Sequence, residues 1–364
     1  MDPVVTCLAD FEALARGALP PATYAHIAGG SADGQTVDAN TAALKQFRIV
    51  SRILVDCRDG STRVSLMGEA FAHPMLLAPL SYQRLVHPEG EIATAQAADA
   101  LDTGMIVSTL ASQPLEAVAG VLPRNKWFQL YLQARWDDTI SLVRRAESAG
   151  YTALVVTVDA PVTGMRNQAE RAGFRQPADV VAVNLPATRD VGQIALEPGQ
   201  SRVFQGAMLH APTWEAIRRL LGETDLPIVL KGVLSAADAR AARDLGVSGL
   251  VVSNHGGRAL APSPTAVEVL PEIRQAVGED FPLLADGGVR RGSDVFVYLA
   301  LGADAVLIGR PQLYALAVNG ALGVARMLRL VRDELELTMA LAGCPSVSDI
   351  GIDRLRHREV EPSS

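Results

Sequence analysis

Cysteine is scarce in this chain: 364 residues carry only Cys7, Cys57 and Cys344. Three thiols, odd in number, far apart and never in a CxxC pair, argue against a disulfide framework and against a zinc centre; Cys57 and Cys344 read as ordinary buried thiols. An excess of positive charge is also lacking. Lys and Arg number 33 against 40 Asp and Glu, a formal charge of −7, so no basic face for nucleic acid is expected. Long apolar runs are missing, since no window approaches the ~20 uninterrupted apolar residues of a membrane-spanning helix. The opening MDPVVTCLADFEALARGALP carries acids where a secretory leader would place a basic segment. No GxGxxG follows the first apolar run, so a nicotinamide cofactor held in that way is not supported. The expectation is a cytoplasmic protein with no metal, nucleic-acid or membrane partner.

What is present is a repeated pattern. Eight short runs rich in Val, Ile and Leu occur at 75–80, 105–110, 127–131, 153–158, 227–232, 249–253, 282–288 and 304–310. They do not alternate apolar with polar, so they read as strands buried on both faces. Amphipathic stretches at 91–103, 137–149, 235–245, 265–278 and 292–302 lie between them. Strand–helix units imply a parallel sheet, and eight in about 250 residues match a closed (β/α)8 TIM barrel. One domain is expected over 1–364. Residues 1–70 form an N-terminal helical cap, with helix-like stretches at 8–17 and 36–46 around a Gly-rich turn at 28–35. The barrel spans 71–312, and C-terminal helices and a tail span 313–364. The longest irregular stretch, 173–211, follows the fourth strand. A loop that long carries function or is disordered; Pro177, Arg189, Asp190 and Glu197 break it as a membrane segment.

In such barrels the reacting groups stand at the C-terminal ends of the strands. The ends of the eight runs read Pro79-Leu80-Ser81-Tyr82, Ser108-Thr109, Gln129 with Tyr131, Thr157 with Asp159, Lys231, Ser253-Asn254-His255 with Arg258, Asp286-Gly287-Gly288 with Arg290, and Gly309-Arg310. Polar groups concentrated at one end are the strongest signal in the chain. The last two ends, DGGVRRG and IGR, have the make-up of a phosphate site: small residues for close backbone approach and arginines for forked bonds to phosphate oxygens. His255 is within reach of Asp159, and a carboxylate beside an imidazole orients a general base and stabilises its protonated form. Arg258 shares that rim and would hold a small carboxylate. Arg166 is either its partner or half of a surface ion pair. Lys231 at a strand tip needs an anion; it serves a Schiff base or a negatively charged cofactor.

SNHGGR in register with LKG, TVDAP, FQLY and DGGVRRG…GADAVLIGR resembles the FMN-dependent α-hydroxy acid oxidase and dehydrogenase family over nearly the whole chain. YQRLVHPEGE leans toward its hydroxymandelate oxidase branch. The resemblance implies FMN as cofactor and His255 as base, oriented by Asp159. It implies Arg258 and Arg166 on the substrate carboxylate and Tyr131 near the reacting carbon. Lys231 would face the flavin pyrimidine edge. Ser108, Gln129, Thr157 and Ser253 would hydrogen-bond the ring, with Pro79, Leu80 and Ser81 along it. Asp286 would bind the ribityl chain, and Gly287, Gly288, Arg290, Gly309 and Arg310 belong to the cofactor-binding set at its phosphate end. A homotetramer is implied as well. The chain departs from the family pattern at Ala259 and Ala261 in place of Gln and Asp, at Ser81, at Leu110 in place of an aromatic residue, and at His26 in place of a substrate-binding tyrosine. His26 either contacts substrate or faces water from the cap.

The implied activity is oxidation of an (S)-2-hydroxy acid to the 2-oxo acid. Mandelate or 4-hydroxymandelate is favoured by the space Leu110 leaves, and an aliphatic acid such as lactate or glycolate is the alternative. The electron acceptor is molecular oxygen, giving hydrogen peroxide, or a soluble carrier. Whether His255 takes the hydroxyl proton or the α-proton is open. Rival readings are a flavin-dependent isomerase or oxidative decarboxylase on the same fold, and a flavin-binding protein without catalysis.

Overall fold

The computed structural model describes residues 4–186, 196–197 and 199–357. The eight apolar runs form eight parallel strands: β4 (Met75–Leu77), β5 (Gly104–Ser108), β6 (Lys126–Leu130), β7 (Leu154–Thr157), β8 (Ile228–Val233), β9 (Gly249–Val252), β10 (Leu283–Asp286) and β11 (Ala305–Ile308). β11 pairs back to β4 and closes the barrel. Helices α4 (Glu91–Ala100), α5 (Leu115–Val121) and α6 (Trp136–Ser148) join the first four strands. α7 (Asn167–Arg171) and α8 (Trp214–Leu221) lie in the long connection after β7, and α9 (Ala236–Leu245), α10 (Ala266–Val277) and α11 (Gly292–Ala300) join the rest. Residues 187–195 and 198 of the expected long loop, including Arg189 and Asp190, lie outside the described residues.

Each strand is buried on both faces because alternate residues feed two cores. Leu76, Ile106, Trp127, Val155, Val229, Val251, Leu284 and Leu307 point inward and pack together. Their neighbours, among them Leu77, Val107, Phe128, Val156 and Leu250, pack outward against the helices. A hairpin of β2 (Val64–Leu66) and β3 (Glu69–Phe71) plugs the N-terminal mouth. Its Leu66 and Phe71 join the inner core, where Phe71 meets Trp127 edge-on at 6.1 Å. The interior is thereby closed at one end.

The cap has three helices where the sequence suggested two. α1 (Leu8–Ala18) and α3 (Gln35–Leu44) flank α2 (Pro21–Ala28), which starts on a proline and stops before Gly29-Gly30. Pro at the first helical position and Gly after the last are ordinary helix boundaries. β1 (Phe47–Ile49) pairs with β12 (Leu355–His357) and ties the cap to the C-terminal segment. α12 (Arg310–Ala342) is long and apolar enough to cross a membrane by composition. It is bent at Asn319-Gly320, and one face, including Leu316, Val324, Met327 and Leu335, is buried in the outer core.

Candidate active site

The two-residue period of each strand carries past its end and decides which side chains face the barrel axis. On β6 the inward series runs Trp127, Gln129, Tyr131. On β7 it runs Val155, Thr157, Asp159, and on β9 Val251, Ser253, His255. β8 ends its series at Lys231, β10 at Asp286 and β5 at Ser108 and Leu110. The polar tips therefore converge on one ring above the apolar interior. They surround a cavity of about 1080 Å³.

Half of the ring is a chain of neutral bonds. Ser81 Oγ lies 3.4 Å from Ser108 Oγ, Ser108 Oγ donates to Gln129 Oε1 at 3.1 Å, and Gln129 Nε2 donates to Thr157 Oγ1 at 3.0 Å. The other half is charged. Lys231 Nζ sits 2.7 Å from Ser253 Oγ and 2.8 Å from Asp286 Oδ2, and Ser253 Oγ donates to Asp286 Oδ1 at 2.6 Å. Ser253 Oγ also accepts the His255 N–H at 3.0 Å. Ser108 and Ser253 are fully buried and stand behind the cavity wall, whereas Gln129, Thr157, Lys231 and Asp286 line it.

His255 Nδ1 is 3.0 Å from Asp159 Oδ1. With the Nδ1–H donated to the carboxylate, Nε2 is left as the basic nitrogen. Burial works to raise the Asp159 carboxyl, but the bond to His255, its charge and the Lys231 ammonium outweigh it and hold the group below its usual range. The second oxygen, Oδ2, is buried with no partner among the described residues. Gly232 lets the carboxylate come this close, because a Cβ there would lie 2.4 Å from both Asp159 Cβ and Cγ.

Three guanidiniums face the same chamber. Burial first, then Arg166 and Arg310, push Arg258 down to about 9; burial pushes Arg310 down to about 10, and Arg166 is lowered by burial too. None of the three forms an ion pair among the described residues. Buried, uncompensated cations are costly, so this chamber is built to receive anions. Tyr131 is pushed up to about 12, chiefly by burial and then by Asp159. It remains a neutral O–H donor.

The arginines are held by backbone carbonyls. The Arg310 guanidinium lines the cavity and donates to Ile27 O at 3.0 Å, Gly256 O at 2.9 Å and Gly29 O at 3.0 Å. The carbonyls at the end of α2 hold it in place, and its charge and its position at the start of α12 can serve a phosphate. Arg258 Nη1 donates to His26 O and Gly29 O, both at 2.8 Å, and Arg166 donates to Arg258 O. Arg290 is half-buried, lines the cavity and lies 3.7 Å from Glu12. Gly287, Gly288 and Gly309 line the same end, and a Cβ at Gly309 would face open space. A wall of small residues under two arginines fits the phosphate of FMN, and Lys231, Gln129 and Thr157 fit the polar edge of its ring.

Pro79, Leu80, Ser81 and Leu110 also line the chamber, together with Tyr82 at the same strand end as Pro79. His26 also lines the chamber. Its ring stacks on Phe174 at 4.0 Å and 11°, and burial, then Arg258 and Arg166, push it down to about 4. The ring is thus neutral and belongs to the chamber, not to the solvent face of the cap. Phe174 carried no signal in the sequence, since only the fold brings α7 against α2.

The description "FMN-dependent dehydrogenase" fits a family model over residues 15–357 of this chain. An L-lactate oxidase of Alicycliphilus denitrificans is 49% identical over 95% of both chains. A 4-hydroxymandelate oxidase of Amycolatopsis orientalis is 44% identical over 93% of this chain and 95% of its own. Among solved structures, mandelate oxidase with (S)-2-phenylpropionate superposes with a TM-score of 0.88 at 42% identity, covering 97% of this chain and 98% of that one.

Proposed function

This chain belongs to the FMN-dependent dehydrogenase family, its 2-hydroxy acid oxidase relatives mark it as an oxidoreductase acting on CH–OH, and from that premise we propose that it oxidises an (S)-2-hydroxy acid carrying an aryl group to the 2-oxo acid. The observation that carries the proposal is the His255–Asp159 pair standing across one chamber from Arg258, Arg166 and Tyr131.

The roles follow from the geometry. Arg258 and Arg166 take the substrate carboxylate, which supplies the anion their buried charges lack. Tyr131 donates its hydroxyl to oxygen at the reacting carbon. His255 Nε2 removes one proton, and Asp159 holds the ring and steadies the imidazolium that results. Bound in the chamber, FMN would supply the acceptor for the two electrons and the second proton that the oxidation releases. Gly287, Gly288, Arg290, Gly309 and Arg310 would hold its phosphate. Asp286 would take the ribityl chain. Lys231 would set positive charge against the ring, with Gln129, Thr157, Pro79, Leu80 and Ser81 completing its bed and Ser108 and Ser253 bracing Gln129 and Lys231 from behind.

Support for an aryl substituent comes from the apolar side chains among the chamber's lining, Tyr82, Leu85, Val86, Leu110 and Leu132. Leu110 spares the volume an aromatic side chain would fill. The 49% identity to a protein named L-lactate oxidase favours a second reading, a short aliphatic acid. Molecular oxygen as acceptor, a cytoplasmic location and a homotetramer complete the proposal. Steady-state kcat/KM in air for (S)-mandelate, (S)-lactate and glycolate, with peroxide counted per 2-oxo acid, tests it. The aryl reading expects mandelate to lead by tenfold or more, on the order of 1–3 kcal/mol of pocket contact, with one peroxide per turnover. Preference for lactate returns the second reading, and 2-oxo acid without peroxide removes oxygen as acceptor.

A further inference from the structure

We propose that Asn40, on cap helix α3, is a positioning residue that holds the His255 loop and the phosphate-end loop in one register, so that alignment of the base and retention of the cofactor are coupled through a single buried amide. The inference rests on the reading of the site as an FMN and hydroxy acid chamber. Asn40 itself lies outside that chamber's wall.

Asn40 is 2% exposed and forms a reciprocal pair with Asn254, 214 residues away in the chain. Asn40 Nδ2 donates to Asn254 Oδ1 at 3.0 Å, and Asn254 Nδ2 donates to Asn40 Oδ1 at 2.9 Å. Asn254 immediately precedes His255. Its remaining capacity is used locally: Oδ1 accepts the Gly257 N–H at 3.1 Å, and Nδ2 donates to Pro264 O at 3.0 Å. Those two backbone partners fix which end of the Asn254 amide is oxygen, and the pair then fixes Asn40. Every polar group of Asn254 is satisfied, and the satisfaction depends on Asn40.

The same residue bears on the second loop. A Cβ built at Gly288 would lie 2.3 Å from Asn40 O, and one at Gly287 would lie 3.2 Å from Asn40 Oδ1. Gly288 also has a φ of +75°. The glycine pair is therefore laid flat against Asn40 with no room for a side chain. One turn of α3 touches the residue before the base on one side and the phosphate end on the other. A small displacement of that turn moves both loops together.

The test uses the full chain with Asn40→Ala, the isosteric Asn40→Asp, Asn254→Ala and the Asn40→Ala/Asn254→Ala double variant. FMN dissociation constants are read from quenching of flavin fluorescence, and kcat and KM are read at saturating FMN. Removing Asn40 leaves one buried Nδ2–H and one Oδ1 lone pair of Asn254 without a partner, the others staying on Pro264 O and Gly257 N–H, and misplacement of a base is sharply penalised. The expected result in Asn40→Ala is about a tenfold rise in the FMN dissociation constant with about a tenfold fall in kcat. KM stays within about twofold, because the Arg258 guanidinium is anchored separately on His26 O and Gly29 O and Arg166 lies on another loop. Asn40→Asp keeps the shape, loses the donor to Asn254 Oδ1, and shifts both quantities the same way. With Asn254 already removed, Asn40→Ala adds less than about twofold to the loss in kcat. The inference is overturned if the variants merely melt earlier with both quantities unchanged, if only one quantity moves, or if the losses in kcat multiply in the double variant. A wild-type chain that neither binds FMN nor turns over a hydroxy acid would instead overturn the proposed function.

Discussion

Asp159→Asn isolates the charge behind the base. Asparagine has the same shape, so it fits under Gly232, where even one added methyl group would collide. What changes is the charge 3.0 Å from His255 Nδ1. Taking the centres of carboxylate and imidazolium as about 4.5 Å apart, at an effective dielectric of about 20, the attraction is about 4 kcal/mol. That stabilisation appears only once His255 has taken its proton, so it acts on the transition state more than on substrate binding. The expected loss in kcat is roughly 10²- to 10³-fold, with KM nearly unchanged because the arginines remain. Stopped-flow anaerobic reduction of the bound flavin measures this directly, since absorbance loss reports the reductive step without reoxidation. The visible spectrum before mixing checks that cofactor binding is intact. A loss under about fivefold, or a raised KM with kcat preserved, would refute the assignment of Asp159 to the base.

Leu110→Trp adds bulk to the chamber's apolar lining and is expected to move kcat/KM from mandelate toward glycolate by tenfold or more, about 1.4 kcal/mol; an unchanged ratio would remove Leu110 from specificity. Gly288→Ala, forced against Asn40 O at a φ of +75°, is expected to yield a folded protein that purifies without flavin. Its spectrum and circular dichroism check both halves. His26 and His73 are each pushed down to about 4, burial being the largest cause for both. Between pH 4 and 6.5 the unfolded chain therefore binds more protons than the native one, so stability is full above pH 6.5 and falls as pH drops toward 4. Thermal melting across that range should show the slope, and His73→Gln should flatten part of it.

The strands and their tips were legible because barrel strands buried on both faces leave unbroken apolar runs, and the two-residue period runs on into the loops. Gln129, Thr157, Lys231, His255 and Asp286 were all readable on that basis. α2 was not, since its eight residues between Pro20 and Gly29 look like a turn when no core is in view. α8 was missed inside the long connection, although Trp214, Ile217 and Leu220 have helical spacing. Contacts between distant segments left no trace at all. The Asn40–Asn254 pair and the His26–Phe174 stack join elements that only the fold brings together. The carbonyl contacts of Arg310 are illegible for a related reason: a long side chain chooses among acceptors in space, and those ending α2 come from a segment more than 280 residues away.

In the proposed reaction a hydroxy acid held by Arg258 and Arg166 gives up one proton to His255, and bound FMN would take two electrons with the second proton. Anaerobic titration of the purified protein with (S)-mandelate and then (S)-lactate tests that claim most directly. The expected result is a flavin spectrum that bleaches with one of these acids and returns when air is admitted. A flavin that stays oxidised at saturating concentrations of both, or a protein that takes up no FMN, would contradict it.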